Sequence, residues 1–291
     1  MICNLCPRRC GVDRGSKAGF CGEKAVLRAA KACLHFWEEP CIAGTGGAGT
    51  VFFSGCNLGC VYCQNREISV TGKGKEITVK RLREIFEDLI WQGADCIDLV
   101  TPTHFVPQIA EALAAEKLPV PVVYNCGGYE NTETLKTLEG LIDVYLPDYK
   151  YADGELAKRL SRAPDYPAVA LAAIKEMLRQ RGPFRLDDDG LLQSGVLVRH
   201  MVLPGYGKNT LDCIDVLTGE FGQEEILCSL MSQYTPPKTP LPDETLNRRL
   251  TQTEYDAAVE YLYLCGAENW FVQELSSAKE EYTPDFDLTG L

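Results

Sequence analysis

Residues 51–65 read VFFSGCNLGCVYCQN and decide the fold. The apolar start of this stretch is typical of a buried strand, and the loop after it places Cys56, Cys60 and Cys63 at C-x3-C-x2-C spacing. A 4Fe-4S cluster normally has four cysteine ligands, so three thiols in one loop leave one iron open to another ligand. Zinc sites instead prefer paired C-x2-C arms, and three structural cysteines at this spacing would be a coincidence. The loop therefore predicts an iron-sulfur site after a strand.

Strand and helix patterns alternate after this loop. The predicted strands that follow are CIDLV, VPVVYN, IDVYLP, GVLVRHMVL and ILCSLM. The predicted helices are residues 79–90, VPQIAEALAAE, ETLKTLEG, residues 155–181 and 210–221, and TEYDAAVEYLYLCG. Six β/α units fall short of the eight in a closed barrel, and they predict an α/β fold with a partial (β/α)6 TIM-like barrel.

We therefore divide the chain into three regions. Residues 1–50 are predicted to form a small Cys-rich N-terminal metal-binding cap, and residues 51–275 the partial barrel. Residues 276–291 are predicted to form a polar, frayed C-terminal tail. The active site is expected at the C-terminal ends of the barrel strands.

Charge and composition exclude several classes of partner. The formal charge of -12 repels a nucleic-acid backbone, and no apolar run approaches the roughly 20 residues of a membrane span. The N-terminus begins MICNLCPRRC and does not resemble a signal peptide, so a cytoplasmic location is expected. In that compartment, 14 cysteines indicate metal binding rather than disulfides.

Polar side chains follow the predicted strands, where an α/β barrel places its active site. Arg199 and His200 alternate on one strand, so only one of them is expected to face the interior. His104 is either a donor to a cofactor, an acid-base group or a structural histidine. The strand-end candidates for cofactor binding are Thr101, Thr103, His104, Asn125, Asp148, Lys150 and His200.

A second cysteine group lies at the N-terminus. Cys3, Cys6, Cys10 and Cys21 have C-x2-C-x3-C-x10-C spacing in a segment too short for a core of its own. We interpret them as a structural zinc site, with an auxiliary iron-sulfur cluster and reduced free thiols as the alternatives.

The cysteine loop resembles the radical SAM superfamily, whose motif is C-x3-C-x-aromatic-C, with Tyr62 at the aromatic position. The stretches HFWEEPCIAGTGGAGTVFFSGCNLGCVYCQN, LVTPTHFVPQI, VYNCGGYE, VYLPDYKY and RHMVLPG look like the branch related to pyruvate formate-lyase activating enzymes. Asp148 and Lys150 are similar to an Asp-x-Lys motif that contacts S-adenosylmethionine in that branch; the alternative is a solvated ion pair. Thr101 to His104 stand where many members carry Gly-Gly-Glu.

This resemblance implies a 4Fe-4S cluster on Cys56, Cys60 and Cys63 that binds S-adenosylmethionine, with Tyr62 at the cofactor. It also implies an electron donor such as flavodoxin or ferredoxin. Reductive cleavage would give a 5'-deoxyadenosyl radical that abstracts hydrogen from a protein or peptide substrate. Two alternatives stay open: an enzyme acting on a small metabolite or modifying a peptide side chain, and an iron-sulfur electron-transfer protein without S-adenosylmethionine.

Overall fold

The computed structural model describes residues 2–277 and 283–291 as ten strands and nine α-helices. The strands are β1 (Arg28–His35), β2 (Ala48–Phe53), β3 (Lys75–Glu76), β4 (Cys96–Val100), β5 (Val122–Cys126), β6 (Val144–Pro147), β7 (Arg185–Leu186), β8 (Leu192–Met201), β9 (Leu227–Met231) and β10 (Trp270–Val272). The helices are α1 (Pro40–Ala43), α2 (Arg66–Ser69), α3 (Val79–Trp91), α4 (Val106–Ala114), α5 (Thr132–Lys136), α6 (Gly154–Ser161), α7 (Tyr166–Arg181), α8 (Gly207–Glu220) and α9 (Gln252–Leu264).

One continuous sheet carries the fold, in the strand order β10-β9-β8-β6-β5-β4-β2-β1-β3. The neighbours from β10 to β2 are parallel, and β1 is antiparallel to β2 and β3. The six predicted barrel strands are confirmed as β2, β4, β5, β6, β8 and β9. Among the described strands, β10 and β3 are not paired with each other, so the sheet is a parallel α/β partial barrel with an open side.

The sheet begins earlier in the chain than the sequence indicates. Strand β1 and the short helix α1 both lie in residues 1–50, and the boundary at residue 50 falls inside β2. The predicted helix 155–181 is two helices, α6 and α7. Arg162 caps α6 in the left-handed conformation at φ 54°, and a proline lies in the first turn of α7, where it needs no hydrogen-bond acceptor.

Amphipathic helices cover the outer face of the sheet. In α3, Thr78 accepts the N-terminal hydrogen bond from the backbone of Arg81, and four apolar side chains of the helix are buried. Within the described part of the chain, none of the helices combines the length and apolarity that crossing a bilayer requires.

The end of the chain is ordered against β1, and the prediction of a frayed tail is wrong for residues 283–291. The backbone N–H of Leu288 donates to Ala30 O at 3.1 Å, and that of Ala32 donates to Thr289 O at 2.9 Å. Phe286 is only 2% exposed and packs edge-on against Phe52, with ring centroids 5.5 Å apart. Residues 278–282 of the predicted tail lie outside the described residues.

We predict that Phe286→Ala lowers the free energy of unfolding by about 3–5 kcal/mol, because it empties a buried aromatic site. Leu288→Ala is the matched control, since Leu288 is 38% exposed and its substitution is expected to cost well under 1 kcal/mol. Urea denaturation followed by far-UV circular dichroism measures both. Equal losses in the two variants would show that the tail does not pack as described.

Candidate active site

Alternate residues of the parallel strands line a cavity at their C-terminal ends, with a volume of about 210 Å³. A strand points every second side chain to the same face, which explains why Asp148 and Lys150 both face this cavity while Tyr149 does not. On β8 the cavity receives Arg199 and not His200. The other residues used below that line it are His35, Trp37, Glu38, Cys60, Tyr62, Cys63 and Asn125.

Two of the three loop cysteines, Cys60 and Cys63, line this cavity, and the sulfur of each of the three has a hydrogen-bond partner. The backbone N–H of Leu58 donates to Cys56 Sγ at 3.4 Å. The Ser69 hydroxyl donates to Cys63 Sγ at 3.3 Å, and the Ser161 hydroxyl donates to Cys60 Sγ at 2.9 Å. Donors to a sulfur stabilise its thiolate form, which is the form that binds a metal.

Burial, with repulsion from the other two loop thiols, raises the pKa of Cys56 to about 12. Burial also raises the pKa of Cys63. Thiolates packed this closely need a strong positive charge beside them, and iron supplies it, so the donor set fits a cluster.

The arrangement of the protein ligands distinguishes a site for an iron-sulfur cluster from a site for a single metal ion. Among residues 2–277 and 283–291, no three His, Cys, Asp or Glu side chains are grouped as ligands of one metal ion. A 4Fe-4S cluster has its irons at separate corners of a cube, so its three cysteines do not need to converge on one point.

Tyr62 belongs to a chain of hydroxyl groups that ends at a cysteine sulfur. Its hydroxyl is 2.6 Å from that of Tyr151, which is 2.7 Å from Ser161 Oγ. Because Ser161 uses its hydrogen on Cys60, Tyr151 donates to Ser161 and Tyr62 donates to Tyr151. The aromatic position of the motif therefore supports the hydrogen bond to Cys60.

A network of ion pairs forms the floor of the cavity. The guanidinium of Arg199 donates to Asp148 Oδ1 at 3.1 Å, to Glu38 Oε1 at 2.8 Å and to Asn125 Oδ1 at 2.6 Å. Lys150 Nζ lies 2.5 Å from the other oxygen of Asp148. Burial opposes ionisation of Asp148, but Lys150 and Arg199 outweigh it and lower the pKa of this carboxyl.

Four of the sequence candidates lie outside the cavity lining. Thr101 has a positive φ of 61° in the loop after β4, and its N–H donates to Asn125 O. The Thr103 hydroxyl donates to Glu130 Oε1 at 2.6 Å. Burial lowers the pKa of His104 and of His200 to about 4, and each ring is hydrogen-bonded to a backbone carbonyl, so both are neutral.

The N-terminal cysteines lie in a turn-rich segment that contacts the cluster loop. Burial acts to raise the pKa of Cys10, but backbone N–H groups of Phe20 and Val12 outweigh it and the pKa is lowered. Burial raises the pKa of Cys6 to about 12, with smaller contributions from Cys21 and Cys3. These thiols are near one another, although no three of them form a single-ion site among the described residues.

Sequence patterns do not single out Ser161, Tyr151 or Glu38 as site residues. The first two follow β6 by several residues and reach Cys60 only because α6 folds back over the cluster loop. Glu38 stands before Pro40 and α1, and only the antiparallel β1 brings it into the barrel. The sequence signal for Glu38 is the charged pair that it forms with Glu39 before a buried helix.

Comparison with known proteins finds one matching family model and one similar protein. A family model described as the radical SAM superfamily matches residues 50–214. The uncharacterized protein MJ0674 of Methanocaldococcus jannaschii is 29% identical over 275 residues, which cover 89% of this chain and 73% of that protein.

Two solved structures align with the chain at low sequence identity. Streptococcus suis SuiB bound to precursor peptide SuiA aligns with a TM-score of 0.50 at 10% identity, over 77% of this chain and 48% of that chain. Methylornithine synthase (PylB) aligns with a TM-score of 0.48 at 14% identity, over 75% of this chain and 68% of that chain. The chain thus spans about half the length of SuiB.

We predict that Ser161→Ala shifts the reduction potential of the reconstituted cluster to more negative values, by tens of millivolts. The substitution removes the hydroxyl that donates to Cys60 Sγ, and hydrogen bonds to cluster sulfurs raise the potential by stabilising the more negative, reduced state. An EPR-monitored redox titration measures the shift. Ser276→Ala, on an exposed serine, is the control, and an unchanged potential in Ser161→Ala would contradict the described contact.

Proposed function

The chain belongs to the radical SAM superfamily, and we propose that it acts on a protein or peptide substrate, from which it abstracts a hydrogen atom. Its membership identifies it as an enzyme that uses a 4Fe-4S cluster and S-adenosylmethionine. When bound, this pair supplies reductive cleavage of a sulfonium and, with it, a 5'-deoxyadenosyl radical. The residues of the chain hold the pair, orient it and exclude water from the cavity.

We assign Cys56, Cys60 and Cys63 as the cluster ligands, with the open iron directed to S-adenosylmethionine. Asp148 and Lys150 are proposed to bind its charged amino-acid end, because the two side chains line the same cavity as Cys60 and Cys63. Tyr62 acts through its hydroxyl chain to Cys60.

The surroundings of the cavity are the observation that supports a polypeptide substrate. The sheet is open between its described edges, and Trp37, which lines the cavity, is 49% exposed. An exposed aromatic side chain at a cavity is typical of a surface that a larger partner covers. In SuiB, a protein of the same fold, a precursor peptide is bound. A small metabolite is the alternative substrate.

Flavodoxin or ferredoxin is the proposed electron donor. Helix α6 exposes Lys158 and Arg159, and Arg162 follows it on the surface, while Ser161 of the same turn contacts Cys60. Lys158 is paired with Glu155, but Arg159 and Arg162 at the C-terminal end of the helix are proposed to contact an acidic donor docked close to the cluster.

The N-terminal thiols are proposed to bind one zinc ion, which would have to draw them together, since no three of them converge on one point among the described residues. Support comes from the backbone N–H groups that border Cys10 and Cys6, since such groups stabilise thiolates, and from the spacing of the four cysteines. The Cys56 N–H donates to Cys21 O at 3.2 Å, so a metal here would also hold the start of the cluster loop.

The function is tested by anaerobic reconstitution with iron and sulfide, dithionite reduction with S-adenosylmethionine, and assay of 5'-deoxyadenosine. We expect product from the wild type and none from Cys60→Ala, which removes one cluster ligand. Cys265→Ala, a half-buried cysteine on the far end of α9, is the matched control and should keep activity. A fully clustered wild type that makes no 5'-deoxyadenosine would favour electron transfer instead.

Metal analysis of the protein as purified tests the N-terminal site. We expect about one zinc ion per chain in the wild type and none in a Cys6→Ser, Cys10→Ser double variant, with iron at the cluster loop retained in both. Additional iron and sulfide in the wild type in place of zinc would show an auxiliary cluster. A wild type with neither would show that the thiols are free.

A further inference from the structure

The inner face of the barrel has three layers of different chemistry. Its deepest layer is apolar, because α1 inserts Cys41 and Ile42 between strand residues such as Val123 and Leu227. The uppermost layer is the cavity described above. Between them, Thr50, Asp98 and Ser229 each lie two residues before a cavity-lining residue on the same strand, and therefore directly under the cavity floor.

Glu39 completes this middle layer. It precedes α1, is 3% exposed, and lies close enough to Ser229 and to Arg199 for both to lower its pKa. Burial, together with repulsion from Glu38, outweighs them and raises the pKa of Glu39 to about 7. Asp98 is fully buried, and its pKa is raised by burial and by Glu38.

Charge is not balanced in these two polar layers. Glu38, Glu39, Asp98 and Asp148 are carboxyl groups, whereas Arg199 and Lys150 are the cationic side chains that face them. His35 also lines the cavity, but burial lowers its pKa and keeps it neutral. Two carboxyl groups are therefore left without a compensating cation.

The geometry shows which two they are. Arg199 and Lys150 form ion pairs with Glu38 and Asp148, while neither Glu39 nor Asp98 forms one with any described residue. Glu39 Oε2 and Asp98 Oδ1 are buried and have no hydrogen-bond partner in the described chain. Two such carboxyl oxygens in one layer are unusual, since buried polar groups in proteins are nearly always satisfied.

An uncompensated carboxylate in a protein interior destabilises the fold. A sequence selected only for stability would carry Gln and Asn at these positions, because the amides have the same shape without the charge. The layer adjoins the cavity in which a substrate must sit, and Glu38 exposes part of its carboxylate to that cavity. Because S-adenosylmethionine is assigned to Asp148 and Lys150 in the same cavity, these facts point to a second cation, one that arrives with the substrate.

We propose that the cavity floor is a subsite for a positively charged nitrogen group of the substrate, a protonated primary amine or a guanidinium. Glu38 contacts the group directly, and Glu39 and Asp98 lie in the layer beneath, where a bound cation favours their ionised forms. The inference rests on the proposed function only in taking this cavity as the substrate site; for a polypeptide substrate the group is a lysine or arginine side chain or an N-terminal amine.

The subsite is tested by the thermal unfolding of the cluster-loaded protein, measured in the presence of S-adenosylmethionine at increasing concentrations of a probe. The probes are n-butylamine, n-butylguanidine, n-butanol and butyrate, which share an apolar chain and differ in charge. We expect the amine, the guanidine or both to raise Tm and the alcohol and the acid not to, because ligands that bind only the folded state stabilise it. The response to the two cations distinguishes lysine-like from arginine-like recognition.

Glu39→Gln is the decisive variant, because its carboxylate has no ion-pair partner in the chain and the amide keeps its shape. We expect a Kd for the cationic probe about tenfold higher than in the wild type, together with a higher Tm of the ligand-free protein. A purely structural role would lower that Tm and leave the Kd unchanged. Glu111→Gln, on an exposed face of α4, is the matched control.

Equal stabilisation by n-butanol would overturn the proposal in favour of an apolar subsite, and stabilisation by butyrate would assign recognition to Arg199. An unchanged Kd in Glu39→Gln would also overturn it. The 5'-deoxyadenosine assay separates this inference from the proposed function. If that product forms while no cationic probe binds, only the inference fails; if a fully clustered protein forms no product, the proposed function fails whatever the probes show.

Discussion

The buried guanidinium of Arg199 holds the site together. Its partners come from three distant parts of the chain, since Glu38 precedes α1, Asn125 is in β5 and Asp148 follows β6. A guanidinium in a protein interior is tolerated only when its donors are satisfied, so these three segments must meet in one arrangement. Asp148 in turn fixes Lys150. The positions of the proposed cofactor-binding residues thus depend on one cation.

The cluster loop has no core of its own and is held from both sides. On one side, Arg8 donates to the carbonyl groups of Asn57, Leu58 and Ser161, and the Cys56 N–H donates to Cys21 O. On the other side, the Val61 N–H donates to Leu160 O of α6. The N-terminal cysteine segment, the cluster loop and α6 therefore form one mechanical unit, and the N-terminal segment is more than a lid placed over a finished barrel.

Local patterns could predict the six parallel strands and the cluster cysteines, because alternation and close spacing are written in short stretches of sequence. They could also predict that only one of Arg199 and His200 faces inward, but not which, since the choice depends on the register of β8 against its neighbours. Glu38, Ser161 and Phe286 reach their positions through contacts across the fold. A short sequence window contains only one of the two partners of such a contact. Polar composition alone predicts a frayed tail, although Phe286 in this tail is buried.

The layers inside the barrel explain how the fold tolerates unpaired charge. The apolar layer around α1 and the helices outside the sheet form the apolar core of the protein, and the burial of this core offsets the cost of Glu39 and Asp98. Sites where local rules are violated are expected where function requires it. Glu39 and Asp98 violate these rules in the layer between the apolar base and the cavity, which is where a charge can act on a bound substrate without touching the cluster.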